Sequence, residues 1–140
     1  MKDLKLAEQR LKEKNFNLLI VKDGETIFAT KSQGIRGLLQ AIEKIGKQLR
    51  GSSVADRIVG RAAALLCAYF KASSVFAVTL SEEGEKMLKE NEISYRFENR
   101  VPNILNYKRT DICPFEKHVM KLTKPEEAYE KLKSFIDSQN

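Results

Sequence analysis

The sequence predicts an α/β fold of three layers (α/β/α), in which helices cover both faces of a mixed sheet that opens with a hairpin. Two observations predict it. Asp23-Gly24 separates two short β-rich runs, as in a tight hairpin. After that hairpin, helical and strand periodicities alternate along the chain, which is the order of packed α/β layers. No linker or low-complexity tract interrupts the 140 residues, so we expect a single domain over residues 1–140.

The first third of the chain predicts a helix, the hairpin and a second helix. Leu4 and Leu11 lie on one face of the first helix, among Lys, Glu and Arg. Gly51 closes the second helix, whose apolar residues recur every three or four positions. The predicted elements are a helix over 2–14, strands over 16–21 and 26–30, and a helix over 35–49.

An alanine-rich segment in the middle of the chain predicts a buried helix. We expect it to start between Ser53 and Asp56, with Ser52 and Ser53 as capping candidates, and to run to about Phe70. Gly60 lies inside this predicted helix, where it costs about 1 kcal/mol relative to Ala. A glycine in that position indicates a close backbone approach, by packing or by a ligand.

The second half continues the alternation. Ser81 caps a helix with acids in its first turn, and Pro125 takes the first position of the last helix. The predicted elements are a strand covered on both faces over 74–80, a helix over 81–91, a half-exposed strand over 93–97, a loop or short edge strand over 101–106, and helices beginning near 113 and 125.

The composition excludes several classes of protein. The longest apolar run, Ala62 to Phe70, is far shorter than the ~20 residues of a membrane span, so we expect no membrane contact and a cytoplasmic location. Cys67, Cys113 and the single His118 do not make up the ligand set of a typical zinc site. The net charge of +6 is spread over several segments and mixed with acids, as in a Lys/Glu-rich surface of a heat-stable protein.

Four segments carry a family resemblance. The order of elements resembles the cytidine deaminase-like fold. Three sequence motifs and one strand are similar to a branch of that fold, the domain-of-unknown-function family 1893 of bacteria and archaea, over roughly residues 15–120. The segments are Ala55 to Leu65, Val101 to Asn106, Cys113-Pro114-Phe115-Glu116, and the strand Val75 to Leu80.

The zinc motifs of that fold are missing. Working deaminases carry His- or Cys-x-Glu at the start of the alanine-rich helix and Pro-Cys-x-x-Cys at the start of the next one. Here the start of the alanine-rich helix has Asp56, Gly60 and Arg61 instead, and the start of the next helix has Ser81-Glu82-Glu83. The resemblance therefore implies the fold without zinc-dependent deamination, and we expect no metal and no cofactor. Since domains of this fold often assemble, it also implies a homo-oligomer.

Asp56, Gly60 and Arg61 are candidate ligand contacts because they lie where this fold keeps its site. Asp56 would bind a ribose or base edge, or act as a general acid or base; alternatively it is a helix-end acid favoured by the helix dipole. Arg61 would bind a phosphate or carboxylate through two hydrogen bonds; alternatively it pairs with a neighbouring acid in the interior.

Cys113 and Glu116 form the second group of candidates. A thiol at a helix N-terminus has its thiolate favoured by backbone amides, so Cys113 is a candidate nucleophile or redox-sensitive thiol, with Glu116 as its proton partner. The alternative is that Pro114 and Glu116 simply start a helix. Asn103 and Asn106 would hydrogen-bond a base, or are turn residues.

Three functions follow, and the sequence does not say whether the protein is an enzyme. The first is binding of a nucleotide-like small molecule in a cleft without metal, and the second is a metal-independent enzyme that uses Cys113. The third, an RNA-binding or assembly module, follows from the charge of +6. It ranks last because the chain has no aromatic-basic motif of RNA-binding domains, so no nucleic-acid partner is expected.

Overall fold

A computed structural model describes residues 2–139 of the chain. The helices are α1 (Lys2–Glu13), α2 (Ile35–Ile45), α3 (Arg61–Tyr69), α4 (Glu82–Glu90), α5 (Pro114–Val119) and α6 (Pro125–Ser138). The strands are β1 (Leu18–Lys22), β2 (Glu25–Thr30), β3 (Ser53–Val59), β4 (Ser74–Ser81) and β5 (Ser94–Val101). A 3-10 turn, Gly46–Leu49, follows α2 and ends the segment predicted as one helix.

The five strands form one mixed sheet in the order β2-β1-β3-β4-β5. β1 is antiparallel to β2 and to β3, whereas β3, β4 and β5 run parallel. The opening hairpin turns at Asp23 and Gly24, whose φ angles of 51° and 79° are both positive. Positive φ at both central residues is the conformation that an Asp-Gly pair adopts readily in a two-residue hairpin. The predicted mixed sheet with an opening hairpin is confirmed.

Helices cover the sheet on both faces. On one face α1 packs Leu4, Ala7 and Leu11 against residues of β1, β3 and β4, including Phe76. On the other face α2, α3, α4 and α6 enclose the larger core cluster. Tyr129 of α6 stacks on Tyr69 of α3, with the ring centroids 4.3 Å apart, so α6 is held to the sheet through α3.

The helix predicted from Ser53–Asp56 to Phe70 is wrong in its first half. Residues Ser53–Val59 form β3, between β1 and β4, and the helix begins only at Arg61. The strand is buried on both faces, so its apolar residues do not alternate with polar ones, and periodicity alone does not separate such a strand from a buried helix. Ser53 caps no helix; its hydroxyl bonds that of Ser74, 2.8 Å away.

Other boundaries shift less. The half-exposed strand predicted over 93–97 continues to Val101 as β5. The segment 101–106 contributes a single antiparallel bridge, between Leu105 and Ile112. Ser81 caps α4 as predicted, since its hydroxyl accepts a hydrogen bond from the amide of Gly84 at 2.9 Å. Between residues 2 and 139, no helix is both long and apolar enough to cross a bilayer.

Candidate functional site

Two adjoining cavities lie at the carboxyl ends of the parallel strands β3, β4 and β5. In open α/β sheets this edge is where ligands bind, outside the strand ends. Residues 102–122, most of the chain between β5 and α6, cross this edge and are called the strap below. A groove of about 590 Å³ and a smaller cavity of about 220 Å³ lie along the strap, and both are lined by Asn103 and Ile104.

The groove is mostly apolar and carries a few polar groups. Ile58, Thr79 and Val101 contribute from the ends of the three parallel strands. The strap supplies the rest of the wall, apart from Gln33 and Gly34, which lie just before α2. The lining residues of the strap are Asn103, Ile104, Leu105, Asn106, Tyr107, Arg109, Cys113, Pro114 and Phe115.

Glu116 connects α5 to the start of α3. Its carboxylate oxygens accept hydrogen bonds from the backbone amides of Arg61 at 2.7 Å and Ala62 at 2.8 Å. These amides are among the unpaired donors of the α3 N-terminus, where a negative charge is favoured. Burial raises the pKa of Glu116 from its ordinary value, and the two amides oppose that rise.

Arg61 holds the opposite end of α5. Its guanidinium is buried and donates to the carbonyl of Val119 at 3.1 Å and to that of Leu122 at 2.6 and 2.9 Å. It also pairs with Glu83 of α4, with the nitrogen and oxygen 3.4 Å apart. Arg61 thus holds carbonyls at and just beyond the end of α5, while Glu116 satisfies amides of α3. We expected Arg61 either to bind a ligand or to pair with a neighbouring acid, and the structure shows the pairing, with Glu83.

Gly60 lies where three parts of the chain meet without room for a side chain. A Cβ at this position would overlap the Glu116 carboxylate and lie 2.8 Å from Cγ1 of Ile104. From the other side Gly84 of α4 approaches, and a Cβ there would lie 2.8 Å from the carbonyl oxygen of Val59. Gly60 is the residue before α3 and not part of the helix interior. The close backbone approach that we expected at Gly60 is therefore a packing contact with Glu116, Ile104 and Gly84.

Asp56 does not lie at a helix start, contrary to the predicted position. It is in β3, opposite Leu18 of β1 and Ala77 of β4, and only 4% of its surface is exposed. Burial raises its pKa to about 7, although the backbone amides of Ile58 and Arg57 lower it in part. Burial, and secondarily the charge of Asp56, raises the pKa of the Cys67 thiol. Asp56 therefore lies in the core, and neither cavity is lined by it.

The remaining candidates divide between the groove and the rest of the surface. Cys113 lines the groove, is half-buried, and makes no side-chain cap to α5. Asn106 acts as a turn residue, since its side-chain oxygen accepts from the amide of Thr110 at 2.9 Å. His118 packs on the ring of Phe135 of α6, 4.0 Å between centroids, away from the groove.

Tyr107 and Arg109 were not identified from the sequence. Tyr107 is 97% exposed at the groove, and Arg109 lines it from a backbone with φ of 59°. The signal available was an aromatic and a cation two residues apart in a segment without periodicity. Within residues 2–139, no group of three or more His, Cys, Asp or Glu side chains is arranged to hold a metal ion.

Comparisons with known proteins agree with this architecture. The family described as a domain of unknown function (DUF1893) matches residues 6–136. The crystal structure of a DUF1893 family protein from Thermotoga maritima is similar with a TM-score of 0.87 and 28% identity, over 95% of this chain and 89% of that one. RibD from Acinetobacter baumannii, which has a cytidine deaminase-like fold, is similar with a TM-score of 0.53 and 15% identity, over 69% of this chain and 35% of RibD. No curated protein matches in sequence. The predicted cytidine deaminase-like fold is confirmed.

Proposed function

We propose that this chain, which belongs to the DUF1893 family of domains of unknown function, binds a nucleotide-like small molecule in the groove without a metal ion. The observation that carries the proposal is the position and lining of the groove. It lies at the carboxyl ends of three parallel strands and combines an apolar wall with a few polar groups. Its volume of about 590 Å³ falls within the range of small-molecule sites.

The polar and aromatic groups of the groove match the three parts of a nucleotide. Arg109 offers a planar guanidinium that binds a phosphate through two hydrogen bonds. The amide of Asn103 both donates and accepts, as the edge of a base requires. The exposed ring of Tyr107 offers a face on which a base can stack, which is worth about 1–3 kcal/mol per base. Asp56 is outside this proposed contact set because it is buried in the core.

A panel of nucleosides and nucleotides tests the proposal by thermal shift, followed by titration calorimetry of any compound that stabilises the protein. A ligand at 100 times its dissociation constant adds about 2.7 kcal/mol to the free energy of unfolding. We expect at least one nucleoside monophosphate to do so. If nucleosides, nucleotides and their bases all leave the melting temperature unchanged, the proposal fails. If only an oligoribonucleotide stabilises the protein, the RNA-binding alternative takes its place.

Variants of the strap locate the site. Arg109→Ala and Asn103→Ala should each weaken binding tenfold or more, since each removes a charge-assisted or bidentate contact of about 1.4 kcal/mol or more. Lys108→Ala is the matched control, because Lys108 is the neighbouring cation and does not line the groove. Equal losses in Arg109→Ala and Lys108→Ala would indicate general electrostatic attraction and would contradict a specific site.

A second candidate function is a metal-independent reaction at Cys113, and the observation that favours it is that Cys113 lines the groove. The proton partner expected for it, Glu116, instead accepts two amides of α3. Alkylation with iodoacetamide tests this candidate, with the buried Cys67 as the internal control that stays unlabelled. Cys113 must react faster than free cysteine at pH 7 for this function to hold. Slower labelling in the presence of a bound nucleotide would instead support the binding function.

A further inference from the structure

Within the described residues, β5 is an edge strand without a partner on its outer side. It is the last strand of the sheet order, and within residues 2–139 its backbone pairs with β4 alone. Six of its eight side chains are exposed: Ser94, Arg96, Phe97, Glu98, Asn99 and Arg100. An edge with free amide and carbonyl groups is a template on which another strand can pair.

The side chains of β5 divide between the two faces of the sheet. Arg96 and Glu98 lie on the face of α1, because they pair with Glu8 and Lys12 of that helix. Phe97 lies on the opposite face, next to Tyr95, with 6.3 Å between the ring centroids. Phe97 is 38% exposed, so part of its ring is left for a further contact.

This pattern of charges is self-complementary in one antiparallel register. Two copies related by a twofold axis through Phe97 place Arg96 of each opposite Glu98 of the other, on the same face. A register centred on Arg96 or on Glu98 would instead place like charges directly opposite each other, which is destabilising. The register centred on Phe97 also overlaps the whole segment 94–100 and brings the two Phe97 rings together.

We propose that β5 docks on β5 of a second copy of this chain, antiparallel and centred on Phe97, so that two five-stranded sheets join into one. Main-chain hydrogen bonds along the two edges and contact between the Phe97 rings hold the dimer. The two Arg96–Glu98 pairs fix its register, since exposed ion pairs contribute more to specificity than to affinity. Strand pairing buries a small area, so the dimer is concentration-dependent.

Charge reversal with rescue by mixing tests this dimer. Sedimentation equilibrium should show the wild type passing from monomer to dimer as its concentration rises. Arg96→Glu and Glu98→Arg should each dimerise several-fold more weakly than the wild type, because each variant faces its own copy with like charges. An equimolar mixture of the two variants should form a heterodimer, since every opposing pair is then complementary. The rescue also shows that both variants are folded.

Two further variants separate this interface from other modes of association. Phe97→Pro should abolish the dimer, because proline at the centre of the edge removes an amide and the ring contact. Glu130→Arg, a charge reversal on the exposed face of α6, is the matched control and should dimerise like the wild type. A wild type that is monomeric at every concentration, or a dimerisation constant that neither single reversal changes, would overturn the proposal.

Discussion

Asp56 is a carboxyl group that the core keeps protonated at mildly acidic pH, where an exposed carboxyl group is ionised. Its raised pKa, about 7, follows from burial between the sheet and α3. The unfolded chain binds this proton only below its ordinary pKa of 3.8, so between the two values the folded state holds more protons. The contribution of Asp56 to stability is therefore fully present below pH 4 and is lost as the pH rises through about 7.

Replacing Asp56 with Asn should remove this pH dependence. A shift from 3.8 to about 7 corresponds to at most about 4 kcal/mol. In urea unfolding at pH 5 and pH 8, the wild type should lose stability at the higher pH, while Asp56→Asn should lose less. Asp23→Asn, at the exposed hairpin turn, is the matched control and should keep the wild-type slope. An unchanged slope in Asp56→Asn would contradict the assignment.

Gly60 and Gly84 lie on two sides of one contact and differ in what a methyl group would meet. At Gly60 it meets the end of a Glu116 side chain and Ile104; at Gly84 it meets backbone of Val59 and Gly60. Overpacking of this kind costs about 1–3 kcal/mol. A flexible side chain can be removed by mutation, whereas backbone cannot.

We therefore expect Gly60→Ala and Gly84→Ala to be destabilising alone, and only the first to be relieved by Glu116→Ala. Chemical unfolding of the single and double variants gives the coupling energies. For Gly60→Ala with Glu116→Ala, the loss should be smaller than the sum of the single losses by at least about 0.5 kcal/mol. Additive losses at Gly60 would show that Glu116 does not occupy this space.

At the level of elements, α3 and α5 hold each other's ends. Glu116 of α5 accepts the first amides of α3, and Arg61 of α3 donates to the carbonyl at the end of α5 and to that of Leu122 just beyond it. Because α5 is a helix of six residues, its own hydrogen bonds hold it weakly, and this reciprocal pair fixes the strap over the strand ends.

Breaking the reciprocal caps should release the strap before the rest of the protein unfolds. Glu116→Ala leaves two amides of α3 unpaired, which costs roughly 1–3 kcal/mol. Hydrogen exchange should accelerate over residues 103–122 while the amides of β3 and β4 keep their protection. Glu126→Ala, in the exposed first turn of α6, is the matched control. Uniform acceleration through the sheet would contradict a local role for Glu116.

One misjudged strand and one set of unforeseen contacts show where local patterns fail. β3 resembles a helix because a strand covered on both faces has no alternation, and its partners β1 and β4 are distant in sequence. The candidate residues Gly60, Arg61 and Glu116 do meet in space. The sequence does not predict their contacts, because Glu116 accepts hydrogen bonds from the start of α3 and not from its own helix. Its two partners lie 54 and 55 residues away along the chain. The residue types alone made them candidates for a site, but which of them contact each other depends on how the helices pack.

At the scale of the whole molecule, we propose that residues 1–140 form a single cooperative domain. The buried residues of the larger core cluster come from β1, β3 and β4 and from α2 to α6, so its parts depend on one another. Thermal unfolding followed by far-ultraviolet circular dichroism and by tyrosine fluorescence should give coincident transitions. Two separate transitions would show that part of the chain folds independently.

The most direct test of the binding function is a nuclear magnetic resonance titration of this 16.0 kDa protein with ribonucleoside 5′-monophosphates. We expect saturable shifts confined to the groove: the ends of β3, β4 and β5 and strap residues from Asn103 to Phe115. The signals of Asp56 and of the face of α6 should stay unchanged. Saturable shifts centred elsewhere, or no shifts with any of the nucleotides, would contradict the proposal that the groove is the binding site.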